Sequence, residues 1–321
     1  MRLTALAPGK TNLCLFLGGT RADGLHELVS VIEPLSLADE LTLEPLPGGA
    51  PVAAAVGAGD MGCAAGEDEV VCAGVEGPNL AGEALAAWRA ASGWAGLPLR
   101  LTIVKRVPVA AGMGGGSGDA AAALRLAAHA AGRPADDPLI AQLAPRLGAD
   151  VPSQIAPGPV LVGGAGEDVR ALALLPPHGV LVLPSPHALS TPEVFREADR
   201  LGLPRSAAEL AERRAALEAA LAAAPVLPPE LLVNDLEPAA RSLCPSIGEA
   251  LAAARDAGAD HALVSGSGPT VVGIFQGPGG PAAAEAAAAA LRDRFPGATG
   301  ARPVDAAFAA VRGVWHDSGR A

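Results

Sequence analysis

Short apolar runs broken by turn residues fill the first third of the chain. In LTALAPGKTNLCLFLGGT (residues 3–20) two such runs flank Pro8-Gly9, which predicts two strands joined by a turn. ELVSVIEPLSLADELTLEPL (27–46) predicts further β segments, and in PLRLTIVKRVPV (98–109) Leu99, Leu101 and Ile103 alternate with polar neighbours. From Pro47 to Gly77 no period is clear, and the reading stops at loops and weak strands. The pattern then lengthens to a helical period. NLAGEALAAWRAAS sets Leu80, Ala84, Trp88 and Ala91 on one face. DDPLIAQLAPRLGAD opens with Asp137 as N-cap and Pro138 at the first helical position, stops at Gly148, and carries Pro145 as an expected kink. SAAELAERRAALEAALAAA begins with a capping box, Ser206 to Glu209, and AAAEAAAAALRDRF predicts a second Ala-rich helix. Between them DHALVSGSGPTVVGIF reads as two strands around Gly266-Ser267-Gly268-Pro269. The order of elements predicts an α+β protein of two lobes, 1–155 and 156–321, a division also favoured by a length of 321 residues.

The period breaks most sharply at PVAAGMGGGSGDAAAAL (108–124), where five glycines and a serine fall between Gly112 and Gly118. A strand precedes this stretch, and a helix is expected to follow from about Gly118 to Ala131. Glycines at a helix N-terminus let unpaired amides approach an anion, and the helix dipole favours negative charge there. Ser117 can add a hydroxyl to a phosphate or a metal ion. No Lys follows these glycines, which excludes a Walker A loop. Gly116, Gly118 and Ala121 satisfy a dinucleotide fingerprint with Asp136 twenty residues on, but the residues between read as helix and loop rather than a second strand, so this stays a weaker alternative. A purely structural glycine bend is the third reading.

Composition narrows the partners. The formal net charge of −11 opposes non-specific attraction to nucleic acid or acidic lipid, so an anionic ligand needs a local site. No apolar run is long enough to span a membrane and the first residues do not form a signal peptide, which places the protein in the cytoplasm. Cys14, Cys63, Cys72 and Cys244 show neither a C-x-x-C pair nor metal-ligand spacing, so no disulfide and no protein-held metal is expected. Of 23 basic residues only Lys10 and Lys105 are lysines, and Asn12, Asn79 and Asn234 are the only asparagines. Residues that persist against such a bias are candidates for specific chemistry, because an ammonium is not reproduced by a guanidinium.

The glycine-rich stretch resembles the phosphate loop of the GHMP kinase superfamily. APGKTNLCLFLGGTRADGLHELVSVIEPLSLAD (7–39), LGADVP (147–152), STPEVF (190–195), NDLEP (234–238) and LVSGSGPTVVGIF (263–275) resemble, in order and spacing, the 4-diphosphocytidyl-2-C-methyl-D-erythritol kinase family within it. RADGLHEL is the most specific element. The resemblance implies a two-lobed fold, ribosomal-protein-S5-like at the N-terminal side and ferredoxin-like at the C-terminal side. It implies transfer of the γ-phosphoryl group of ATP, with magnesium, to the 2-hydroxyl of a cytidine-diphosphate sugar alcohol on the non-mevalonate route to isoprenoids. Asp150 takes the place of the family's catalytic aspartate and Lys10 of its lysine partner. Pro108, Val109, Ala110, Ala111, Gly112, Met113, Gly114, Gly115, Gly116, Ser117 and Gly118 form the phosphate loop, with Lys105 in support near the adenine. Asn12, His26, Thr191 and Phe195 match substrate contacts, His26 and Phe195 at the cytosine.

Taken alone, Asp150 reads as a turn acid, Lys10 as a loop charge, His26 as a structural donor, Phe195 as core, and Asn79 and Asn234 as a cap and a turn. Three features depart from the family pattern. Leu25 replaces a tyrosine expected on the second cytosine face, Gly118 stands where Ser is common, followed by Asp119 where the family has Asn or Asp, and VPSQ replaces a more apolar continuation. Asp119 is expected to cap the helix or stand behind the phosphate contacts. A kinase acting on homoserine or mevalonate, and a nucleotide-binding protein without catalysis, remain the other readings. The substrate is a small molecule, and the assembly a monomer or homodimer.

Overall fold

In a computed structural model the described residues are 2–46, 68–75, 77–223 and 227–314, so Cys63 and the unpatterned stretch 47–67 lie outside them. The apolar runs of the first third form two long strands, β1 (Arg2–Thr20) and β2 (His26–Pro45), paired antiparallel. The turn expected at Pro8-Gly9 is absent. There the register slips between Pro8 and Lys10, one of three irregularities along the pair. A proline cannot donate to the ladder, and a bulge absorbs it without ending the strand.

The remaining elements are β3 (Glu69–Cys72), α1 (Leu80–Ser92), β4 (Leu99–Val104), α2 (Gly115–Ala130), α3 (Pro138–Leu147), α4 (Val151–Gln154), β5 (Val160–Gly163), β6 (Asp168–Ala171) and β7 (His178–Leu183). They continue with α5 (Thr191–Arg200), α6 (Ala207–Ala223), α7 (Glu237–Leu243), α8 (Ile247–Asp256), β8 (His261–Val264), β9 (Val271–Gln276), α9 (Gly280–Leu291), β10 (Thr299–Ala301) and β11 (Arg312–Val314). The first sheet runs β11-β1-β2-β4-β3, with β5 on β2 and β6 on β5, and the second runs β10-β7-β9-β8. The first sheet thus takes strands from both sides of residue 155.

Helix ends follow the sequence. Asn79 caps α1 by accepting from the Ala81 amide, Asp137 caps α3 through Leu139, and Ser206 and Glu209 bond reciprocally ahead of α6. One face of α1, Ala81, Ala84, Leu85 and Trp88, is buried, and the helix packs mainly against α2 and α3. Helix α2 is buried on nearly all sides, and its alanines from Ala120 to Ala123 are fully covered. Small side chains let it lie close to β1, α1 and α3 at once. A second core gathers α5, α7, α8 and α9 around Leu181, Leu251 and Phe275. Phe16, Leu35, Val180 and Val272 fill a third core joining the two sheets.

A buried polar contact crosses between the sheets. Glu33 of β2 meets His178 of β7 at 2.8 Å, both buried, and His178 Nδ1 lies 2.9 Å from the Pro176 carbonyl. The turn between β8 and β9 presses on the glycine-rich stretch. Gly112, at φ 73°, lies so close to it that an added Cβ would sit 2.2 Å from the Ser265 carbonyl oxygen. Ser265 Oγ also donates to the Gly112 carbonyl at 3.2 Å.

Burial acts to lower the pKa of His178, but the hydrogen bond and charge of Glu33 outweigh it and hold the pKa above its ordinary value. The stability this pair supplies is therefore complete below about pH 6.5 and is lost as pH rises through the raised value. Chemical denaturation of the wild type and of His178→Gln should show a stability gap that is full below about pH 6.5 and narrows as pH rises above it. Gly112→Ala meets both a left-handed φ and a backbone oxygen. It should cost ~2 kcal/mol or more, read as a lower urea midpoint at unchanged slope.

Candidate functional site

The bulge in β1 begins the site. Lys10 resumes the ladder opposite Pro34, and its amide donates to the Met113 carbonyl at 2.8 Å. That bond fastens the phosphate loop to the strand. Lys10 and Asn12, two apart, share a face, and Lys10 Nζ donates to Asn12 Oδ1 at 2.8 Å. Asn12 Nδ2 donates to Ser30 Oγ at 2.7 Å, and Ser30 in turn to the Cys14 carbonyl. This chain of bonds fixes which end of the amide faces the lysine.

Helix α2 begins at Gly115, three residues ahead of the expected start. Gly114, at φ 63°, precedes it without any side-chain cap. Its first amides, on Gly115, Gly116 and Ser117, have no intrahelical partner, and beside Gly116 no atom lies within 4 Å of where a Cβ would stand. The head of α2 is therefore open to an anion. Gly118 and Met113 face inward. The Gly118 amide closes the first turn on the Gly114 carbonyl, and Met113 is buried in the core between the sheets. Pro108, Val109, Ala110 and Ala111 line the cleft ahead of the glycines, Ala110 at φ 53°.

Asp150 stands immediately before α4, with Oδ2 3.5 Å from Lys10 Nζ. Residues the sequence reading passed over hold it there. Arg125 on α2 donates to the carbonyls of Gln154 and Ile155 at the far end of α4 and to that of Leu6 on β1. Its burial pushes the guanidinium down to about 10. Gln154 Nε2 donates to the Gly114 carbonyl at 3.0 Å. The VPSQ departure thus ties the aspartate's helix to the phosphate loop. Arg125 had a signal in the sequence, as the one charge in AAAALRLAAHA.

Lys105 lies between two carboxylates, Asp39 at 2.5 Å and Asp119 at 2.7 Å. Asp39 also accepts from the Arg106 and Val107 amides and so shapes the approach to the loop. Burial opposes the charge of Lys105, yet Asp119 and Asp39 prevail and raise its pKa. Asp119 does not cap α2. Burial raises its carboxyl to about 7 despite Lys105, and its Oδ1 has no protein partner among the described residues. Among those residues no three His, Cys, Asp or Glu stand together as a metal cage. A divalent ion would have to be bound mainly by ligand phosphates, the usual mode for magnesium in phosphoryl-transfer sites.

At the other end of the cleft Phe195 on α5 faces His26, ring centroids 5.1 Å apart and planes at 43°. Thr191 Oγ1 lies 2.9 Å from Ser267 Oγ, and Leu25 is 54% exposed. Asn234 accepts from the Leu236 amide and donates to the Val264 and Gly266 carbonyls, bracing the β8–β9 turn rather than facing a ligand. One cleft of about 1030 Å³ joins Lys10, Asn12, Asp150, Lys105 and the head of α2 with His26, Thr191 and Phe195. It is an extended site with an anion-binding centre and an aromatic end.

The GHMP kinases N terminal domain matches residues 79–159, and the GHMP kinases C terminal domain matches residues 205–297. The chain is 38% identical over 300 residues to 4-diphosphocytidyl-2-C-methyl-D-erythritol kinase of Anaeromyxobacter dehalogenans, covering 92% of this chain and 87% of that one. It is 40% identical over 297 residues to the enzyme of the same name from Corynebacterium efficiens, covering 84% of each. A crystal structure of 4-(cytidine 5′-diphospho)-2C-methyl-D-erythritol kinase superposes with a TM-score of 0.70 at 33% identity, covering 94% of this chain and 98% of that one. On sequence, domain content and fold together, the chain belongs to the 4-diphosphocytidyl-2-C-methyl-D-erythritol kinase family of the GHMP kinases.

Proposed function

We propose that this protein transfers the γ-phosphoryl group of ATP to the 2-hydroxyl of 4-diphosphocytidyl-2-C-methyl-D-erythritol, in the non-mevalonate supply of isoprenoid precursors. The observation that carries the assignment of roles is the approach of Lys10 Nζ to the Asp150 carboxylate, 3.5 Å, in the same cleft as the open head of α2. Phosphoryl transfer asks for alignment, stabilisation of charge on the transferred group, and an acceptor for the hydroxyl proton. The α2 amides at Gly115, Gly116 and Ser117 bind phosphate oxygens through preorganised dipoles, which need no rearrangement as charge shifts. Lys10 adds a full positive charge whose position Asn12 fixes. Asp150, its side chain 41% exposed, is open to the cleft and takes the proton from the acceptor hydroxyl.

Magnesium, when bound with ATP, would neutralise phosphate charge, and Ser117 Oγ in the cleft lining is a protein oxygen at hand for it. Lys105 and Asp119 line the cleft beside Gly115 at the head of α2, with Asp39 behind them. His26, Phe195 and Thr191 hold the cytidine end of the acceptor, and Phe195 supplies a stacking face worth about 1 to 3 kcal/mol. In this reading the two nucleotides occupy opposite ends of the cleft, with their phosphates meeting at Lys10. Among the described residues no helix is long and apolar enough to cross a membrane.

Asp150→Asn keeps shape and removes the proton acceptor. A coupled assay of ADP release should show kcat lower by roughly 10² to 10⁴, with the KM for ATP little changed. Full turnover by this variant would reject Asp150 as the base. Offered separately, the cytidylyl substrate should be phosphorylated in preference to homoserine or mevalonate. Turnover of either of those alone would move the protein to another branch of the superfamily.

A further inference from the structure

Thr191, Phe195 and Asp199 stand four residues apart on α5 and therefore share one face of the helix. Phe195 lies against the His26 ring. One turn on, Asp199 Oδ1 is 2.8 Å from His26 Nε2, and Thr20 Oγ1 lies 3.2 Å from the same nitrogen. The other ring nitrogen, Nδ1, makes no hydrogen bond to any described residue. Both His26 and Asp199 line the cleft. Leu25, exposed beside them, has neither a ring nor a polar atom with which to read a base.

An ionised carboxylate only accepts hydrogen bonds, so the nitrogen facing it must carry the proton. In the neutral imidazole that leaves Nδ1 bare, an acceptor, its state set by the partner of the opposite nitrogen. Cytosine presents an exocyclic amine, a donor, where uracil presents a carbonyl, an acceptor. We propose that Asp199 is a positioning residue for base selection: it holds the His26 proton on Nε2 so that Nδ1 accepts from the exocyclic amine of cytosine and disfavours uracil. This rests on the kinase reading above and deepens it. It also accounts for how this chain selects a base with Leu25 in place of an aromatic, since discrimination then comes from the hydrogen-bonding edge rather than from a second stacking face.

A merely structural role for Asp199 would be small, because its carboxylate is 45% exposed and pairs at such exposure add little stability. The test uses the full-length enzyme with the cytidine substrate and its uridine counterpart, and nitrogen-15 NMR of labelled histidine. In the wild type His26 should be the neutral tautomer protonated at Nε2. In Asp199→Ala the KM for the cytidine substrate should rise about tenfold, roughly the worth of one such hydrogen bond, with kcat changed far less. The preference for cytidine over uridine should shrink by a similar factor, and Asp199→Glu should restore part of it. An unchanged preference in Asp199→Ala, or a His26 ring protonated at Nδ1 or at both nitrogens in the wild type, would overturn the proposal. Inactivity of the wild type on both substrates would instead sink the kinase reading beneath it, a failure separate from lost preference in an active enzyme.

Discussion

The hydrogen bond from the Lys10 amide to the Met113 carbonyl is the constraint on which the rest of the site depends. In an antiparallel pair the amides point alternately toward and away from the partner strand. The Lys10 amide, in a residue still in register with Pro34, reaches across to the loop. Gly9 eases the approach, since a Cβ there would lie 3.1 Å from a Val107 methyl and 3.2 Å from the Leu37 carbonyl oxygen. The bond ties the strand that carries the ammonium to the loop just ahead of the open end of α2.

Helix α2, whose open head faces the cleft, is held by groups outside the proposed Lys10–Asp150 pair. Its alanines give up side-chain volume so that it can sit against β1, and the single guanidinium among them, Arg125, gathers three carbonyls that would otherwise lie buried with fewer partners. Because two of those carbonyls belong to the end of α4, the position of Asp150 is tied to the same helix that presents the amides. Gln154 closes the circuit at Gly114. Acid, ammonium and anion site are thus three points of one rigid assembly rather than three side chains on separate loops, the arrangement precise catalysis requires.

The helices and the glycine-rich bend were legible because they depend on local rules: period, caps and the freedom of glycine. The α2 start was misplaced by three residues because glycine is a poor helix former, and only the packed surroundings bring Gly115 and Gly116 into the helix. Pro8-Gly9 failed as a turn because its local meaning was overridden by pairing over the whole of β1 and β2. Lys10 stood out through scarcity, and its neighbour Asn12 through spacing. Asp150 and Asp199 carry no such mark. Each becomes distinct only when a partner more than a hundred residues away meets it, and pairing of that kind leaves no trace in a single sequence. Asp119 does not cap α2, because Lys105 offers it a stronger partner than a helix amide.

The contact of Gly112 with Ser265 has a consequence for how such an enzyme can be divided. A fragment of this chain ending after α4 would contain Lys10, Asp150 and all of the glycine-rich bend, yet lack the carbonyl wall against which that bend is moulded. The second sheet contributes almost nothing to the transferred group and still decides the curvature of the backbone that receives it. The loop on one side of the chain and the turn on the other are thus fitted to each other.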